Sequence, residues 1–240
     1  MQLEHEHTKD AIRERLAAEN RPNYLRDWVY GGIDGAITTF AIVAGVVGAS
    51  LSAKIIVILG LANLIADGFS MAASNYSGTK TEADELERFR QIEKKHIELE
   101  PEGEREEVRQ ILSAKGLSGS ALEDAVAAIT SNEKTWIDTM LVEEYNLSIN
   151  LRSPMISGLS TFLSFFICGS IPLIPFLLGV DHALEIALFS TALAFFVIGA
   201  IKSKWSLAAW WKSGIETLLI GITASAMAYA IGYFVKDLVS

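Results

Sequence analysis

The chain has 240 residues, half of them hydrophobic, with a mean hydropathy of +0.31 and a formal net charge of −9. So apolar and so acidic a chain does not read as one soluble domain; it asks for membrane spans plus a separate acidic region, and it weighs against nucleic acid as a partner. The single cysteine, Cys168, allows no internal disulfide and lies in an apolar run, where it reads as a small packing residue.

Met1 to Asp27 reads as a cytoplasmic leader. It is charged throughout, so no cleavable signal peptide is visible. A His-Glu-His cluster at His5 to His7 reads as a flexible tail, and a short amphipathic pattern surrounds Ile12 and Leu16. Arg13, Arg15, Arg21 and Arg26 precede the first apolar run and, by the positive-inside rule, place the N-terminus in the cytoplasm.

Residues 28–78 hold the first two predicted transmembrane helices. Val29 to Leu51 is long enough to cross a bilayer and carries one charge, Asp34, within GGIDG; Ile55 to Gly78 contains Asn63, Asp67 and Met71. A hairpin at Ser52 to Lys54 joins them on the outer side. An ionisable side chain inside a span is costly and by default marks a pathway or a proton relay, which makes Asp34 and Asp67 candidate transport-path residues. The glycines beside Asp34 are expected to let a hydrated cation reach its carboxylate. Met71 lies one turn beyond Asp67, and its soft thioether suits a late first-row ion, although plain packing explains it too.

Residues 79–152 form a polar helical insert. It carries 17 of the 29 acids against ten lysines and arginines, so the charge imbalance of the chain sits here. Pro101 and the segment Gly116 to Ser120 predict breaks that divide it into three helices. At about 100° per residue, Leu86, Phe89, Glu93, His96, Ile97 and Glu100 share a face of the first helix. In the second, Glu104 and Glu107 lie on the side of Val108 and Ile111. In the third, Glu133, Trp136, Met140, Glu143, Glu144 and Leu147 cluster together. Unpaired carboxylates on inward faces cost several kcal/mol each, and a shared divalent cation would offset this. The bland alternative is a solvated acidic surface laced with i,i+4 pairs.

Residues 153–240 supply three more predicted spans. Met155 to Val180 is uncharged, but Pro172 and Pro175 should bend it or end its helix early. Ala183 to Ile201 carries Glu185 near one end, Lys202, Lys204 and Lys212 mark a cytoplasmic turn, and Gly214 to Val235 follows with Glu216 near its start. Small residues crowd the first, second and fifth spans, which permits close helix approach within a subunit or across a homodimer seam. The expected fold is therefore an all-α membrane protein of five transmembrane helices, with a three-helix cytoplasmic metal-binding insert between spans 2 and 3.

Three functions compete for this arrangement. A secondary transporter would use the insert to collect divalent ions and the intramembrane carboxylates to pass them; no P-loop pattern supports an ATP-driven pump, so a gradient must supply the energy. A membrane-anchored buffer of metal would need no Asp34 or Asp67. A ferritin-like iron oxidase is suggested by Glu93-x-x-His96, but that architecture takes two such motifs within one four-helix bundle and the insert holds one.

Certain runs carry a more specific signal. DGAITTFAIVAGVVGA in the first span, ADGFSMAASNYSGTKTEAD in the second, and the Trp-x-Asp-x-Met segment at Trp136 to Met140 resemble the signatures of the vacuolar iron transporter family, in the same order and over nearly the whole chain from Tyr30 onward. The resemblance implies a non-enzymatic, five-span homodimer, an integral protein of the plasma membrane if the host is bacterial. It implies export of Fe²⁺ or Mn²⁺ from the cytosol in exchange for protons, with no permanently bound cofactor and with Zn²⁺ or Co²⁺ as conceivable cargo. Matched by residue, it implies a path through Asp34 and Met71 and an ion cluster of Glu93, Glu104, Glu107, Met140 and Glu144. His96 stands where the family pattern has a Glu, and Leu141 where some members have an acid. Histidine remains a competent ligand and Glu143 a potential substitute, so the site is expected to persist with altered selectivity or pH response.

Overall fold

The computed structural model describes residues 6–17 and 22–239, with side chains through Lys236. Every regular element among them is helical, and the chain divides into two compact units: the N-terminal segment with residues 80–152, and residues 24–79 with 153–240. The expected His5 and Arg21 lie outside the described residues.

In the second unit, α2 (Leu25–Gly48) and α3 (Ala53–Leu99) are the first two apolar helices. The unit boundary falls inside α3, between Thr79 and Lys80. α2 begins two residues before Asp27, so the expected leader boundary at that residue is moved: Asp27 is in the first turn of a membrane-type helix and 2% exposed. α7 (Pro154–Ser170), α8 (Ile174–Leu177), α9 (Ala183–Lys202) and α10 (Trp210–Val239) complete the unit. Among the described residues, four helices, α2, α3, α9 and α10, are long and apolar enough to cross a membrane. α7 has 17 residues, about 26 Å of helix, and stops before Pro172, as a residue lacking an amide proton dictates.

α2 is the centre of this unit. α7, α9 and α10 all pack on it, and Phe40, Val43 and Val46 join Ile56, Leu64 and Phe165 in the core. Glycines set the distances: a Cβ on Gly31 would strike the Thr161 carbonyl, and one on Gly35 the Phe165 carbonyl.

The first unit holds a short exposed helix, α1 (Lys9–Ala17), and the insert. Here the end of α3 is followed by α4 (Pro101–Ala114), α5 (Gly119–Thr130) and α6 (Glu133–Glu143). Pro101 opens α4 at a position where its missing amide costs nothing, and Gly116, at φ +96°, releases the chain after α4. The expected third helix is two. Ser131 and Asn132 interrupt it, and the Asn132 side chain caps α6 by accepting from the Thr135 amide at 2.9 Å. α6 also ends at Glu143, which leaves Glu144 as its cap and Leu147 beyond it. Val108, Leu122, Val126, Trp136 and Met140 form the core of the insert.

Candidate metal centre

The first-unit site is built on the inward face of α3. Glu93 is fully buried there, between half-buried Phe89 and Ile97. Facing it, Glu104 sits in the first turn of α4 and is 5% exposed. His96, one turn after Glu93 and half exposed, places Nδ1 3.3 Å from Glu104 Oε1 and 3.8 Å from Glu93 Oε1. One ligand atom from each of the three lies within 4.8 Å of the others, a spacing that one cation could span. Tyr145, its ring tilted 38° against Phe89 with centroids 4.4 Å apart, donates its hydroxyl to Glu93 Oε1 at 2.9 Å.

The remaining oxygens are left over. Glu93 Oε2 and Glu104 Oε2 are buried and accept no hydrogen bond. Burying two carboxylates together is penalised both by lost hydration and by their repulsion, and the protein shows it: burial first, then the charges of Glu93, Glu107 and Glu144, push the Glu104 carboxyl up to about 7. Glu144 is raised by burial and by Glu93 and Glu107, with Tyr145 and His96 acting the other way. The Tyr145 phenol is raised by burial and by its bond to Glu93. A divalent cation would satisfy both orphaned oxygens and cancel the repulsion. Carboxylate and imidazole ligands suit Fe²⁺, Mn²⁺, Co²⁺ or Zn²⁺.

Of the predicted ligands, Glu93, His96 and Glu104 converge, and Glu107 and Glu144 are exposed but close enough to act on them electrostatically. Met140 is fully buried in the apolar cluster with Val108 and Trp136. Glu143 points to other work, an ion pair with Lys115 at 2.6 Å, and Glu133 pairs with Lys94 at 3.4 Å. Buried carboxylates thus come from two helix faces rather than three. Leu141 is wholly buried, as an apolar residue in that place should be.

In the second unit, Asp34 on α2 and Asp67 on α3 are both half-buried. Asn63 donates to Thr38 Oγ1 at 3.2 Å and to Thr39 Oγ1 at 3.5 Å. Beside Asp34, α7 lies against Gly31 and Gly35: a Cβ on the first would meet the Ser164 hydroxyl and the Thr161 carbonyl, and one on the second the Phe165 carbonyl. Met71 packs against the core and lines a cavity of about 350 Å³ with Arg26, Asp27, Tyr30, Ser70, Ser74 and Asn75. Asp27 accepts from Asn75 Nδ2 at 2.8 Å, and the same amide reaches Thr161 Oγ1 at 2.7 Å and the Ser157 carbonyl at 3.3 Å.

Sequence reasoning missed Asp27, Asn75 and Tyr145. Asp27 was masked by the arginines beside it, which made it look like the end of a tail. Asn75 is four residues, about one turn, from Met71, so helical phase alone could have placed it on the Met71 face.

Comparison with known proteins supplies relatives. A sequence model of the VIT family matches residues 25–233. A protein of Toxoplasma gondii named vacuolar iron transporter is 33% identical, over 94% of this chain and 81% of its own length. Vacuolar iron transporter 1 of Arabidopsis thaliana is 31% identical over 88% and 86%, and its namesake in Oryza sativa 30% over 88% and 85%.

Proposed function

The chain belongs to the VIT family, and from that premise we propose that it is a secondary transporter that moves divalent iron, manganese or both out of the cytosol across its membrane in exchange for protons. The observation that carries the reading is the pair of buried oxygens without a hydrogen-bond partner on Glu93 and Glu104 beside His96, an arrangement that a divalent cation would compensate. The relatives named as iron transporters support the same class of cargo.

The first unit gathers ions on Glu93, His96 and Glu104, with Glu107 and Glu144 adding negative potential. The second carries them past Asp34, Asp67 and Met71, the ionisable and soft groups within its apolar helices. A carboxylate at Asp34 that exchanges a proton as a cation passes would couple the two fluxes. α7, the turn at Pro172 and α8 count together as a fifth span, so the N-terminus and the insert share one side of the membrane, and the arginines before α2 make that side the cytoplasm; two copies form the working assembly. In a bacterial cell the membrane is the plasma membrane.

Glu93→Gln with Glu104→Gln, reconstituted beside wild type, tests the role of the insert. Initial uptake of Fe²⁺ and Mn²⁺ at low ion concentration should fall at least about tenfold, since two charged ligands are gone. Unchanged rates would remove the insert from the transport cycle.

A further inference from the structure

The turn between α9 and α10 has no part in the transport reading, and its chemistry is unlike the rest of the chain. Lys202 to Lys212 reads KSKWSLAAWWK: three lysines, three of the five tryptophans and no acid, in a protein of net charge −9. We propose that this turn is a binding site for an anionic phospholipid, with Lys204 and Lys212 on the phosphate and the indoles of Trp205, Trp210 and Trp211 beside the glycerol and upper acyl region. The inference rests on the reading of this unit as membrane-embedded.

The scaffold holds the turn open to its surroundings. Gly199 and Gly214 let α9 and α10 close on each other, since a Cβ on Gly199 would strike the Ser213 carbonyl. Between the two helices the chain makes a 3-10 turn at Ser203–Trp205 and then runs without helix to α10. Ser203 Oγ bonds the Ala200 carbonyl at 2.7 Å, and Ser206 Oγ accepts from the Ala208 amide at 3.2 Å, so the turn has a defined shape. On it Trp205, Trp210 and Trp211 are 57%, 60% and 46% exposed, and Leu207 is wholly exposed.

Such a row of large apolar groups is unfavourable in water. At a bilayer surface it is the preferred arrangement, because indole buries its rings among acyl carbons and keeps its N–H among headgroups. Zwitterionic lipid would satisfy the indoles; the lysines select further. Lys202 is 3.6 Å from Glu216 and partly neutralised. Lys212 Nζ lies 5.4 Å from the Trp211 ring, and Lys204 makes no ion pair among the described residues. Two cations thus remain for an anionic headgroup, each strengthening attraction to it about fivefold.

Native mass spectrometry of the full chain, held in detergent micelles doped with phosphatidylcholine or with phosphatidylcholine and phosphatidylglycerol, counts the retained anionic lipid. Lys204→Gln with Lys212→Gln should reduce phosphatidylglycerol retention at least about fivefold and abolish the rise in unfolding temperature that this lipid gives wild type. The arginine pair at the same positions should restore both, whereas Lys54→Gln, removing a charge elsewhere in the unit, should leave both intact. Equal retention by wild type and the glutamine variant overturns the proposal. So does a change in the number of chains per particle with lipid retention unchanged, which would assign the turn to contact between copies. The readout counts lipid rather than ion flux, so its failure leaves the transport reading standing; a wild-type chain recovered outside the membrane fraction would overturn the membrane reading instead.

Discussion

Glu104 decides how the cluster responds to pH. An ordinary glutamate ionises near 4.5, but this one keeps its proton to about 7. The folded, metal-free protein therefore holds more protons than the unfolded chain between those values. Its stability should fall as pH rises from about 4.5 to 7 and level off above. Metal binding runs the other way, because a cation needs the carboxylate: Mn²⁺ affinity, followed by electron paramagnetic resonance, should rise up to about tenfold per pH unit until about 7, with a proton released per ion. A flat profile would show that Glu104 is not a ligand. Tyr145→Phe removes a hydrogen bond that orients Glu93, and affinity should drop about tenfold with the pH dependence kept. These features were only half legible in the chain. Helical phase turned Glu93 and Glu104 inward, but nothing in the spacing says which acids end up buried, because that depends on how α3 and α4 meet. Glu143 shares the phase of Met140 and still turns to Lys115.

At the scale of elements, helix ends and helix contacts carry the architecture. Asn132→Ala should destabilise the insert by about 1 kcal/mol, read by thermal unfolding, since it removes the cap of α6. No change would mean that the break at Ser131 is held by packing alone. Gly35→Ala should cost about 1–3 kcal/mol, because the new methyl meets the backbone of α7 rather than a flexible side chain. The prolines and glycines made the breaks at Pro101, Gly116 and Pro172 readable. The break at Asn132 escaped because a periodic apolar pattern runs through it from Leu122 to Met140, and a single capping side chain outweighed that pattern. Around Asp34 the sequence shows the glycines, whereas only the packed helices show that α7 lies against Gly31 and Gly35.

For the whole molecule, the division of labour between two units is the substance of the account. An acidic unit with two orphaned buried oxygens fits a collector of cations, and an apolar unit with Asp34, Asp67 and Met71 fits a conduit. Composition alone separated these parts, since the excess acids fall between residues 79 and 152. It follows that damage to one should spare the other: Asp34→Ala should retain wild-type Mn²⁺ binding by the insert. The most direct measurement is uptake of Fe²⁺ and Mn²⁺ into proteoliposomes, with and without an imposed pH gradient, by wild type and Asp34→Ala. Wild type should show uptake stimulated by the gradient, and the variant none. Equal uptake by both, or none by folded wild-type protein under either condition, would contradict the proposed transport.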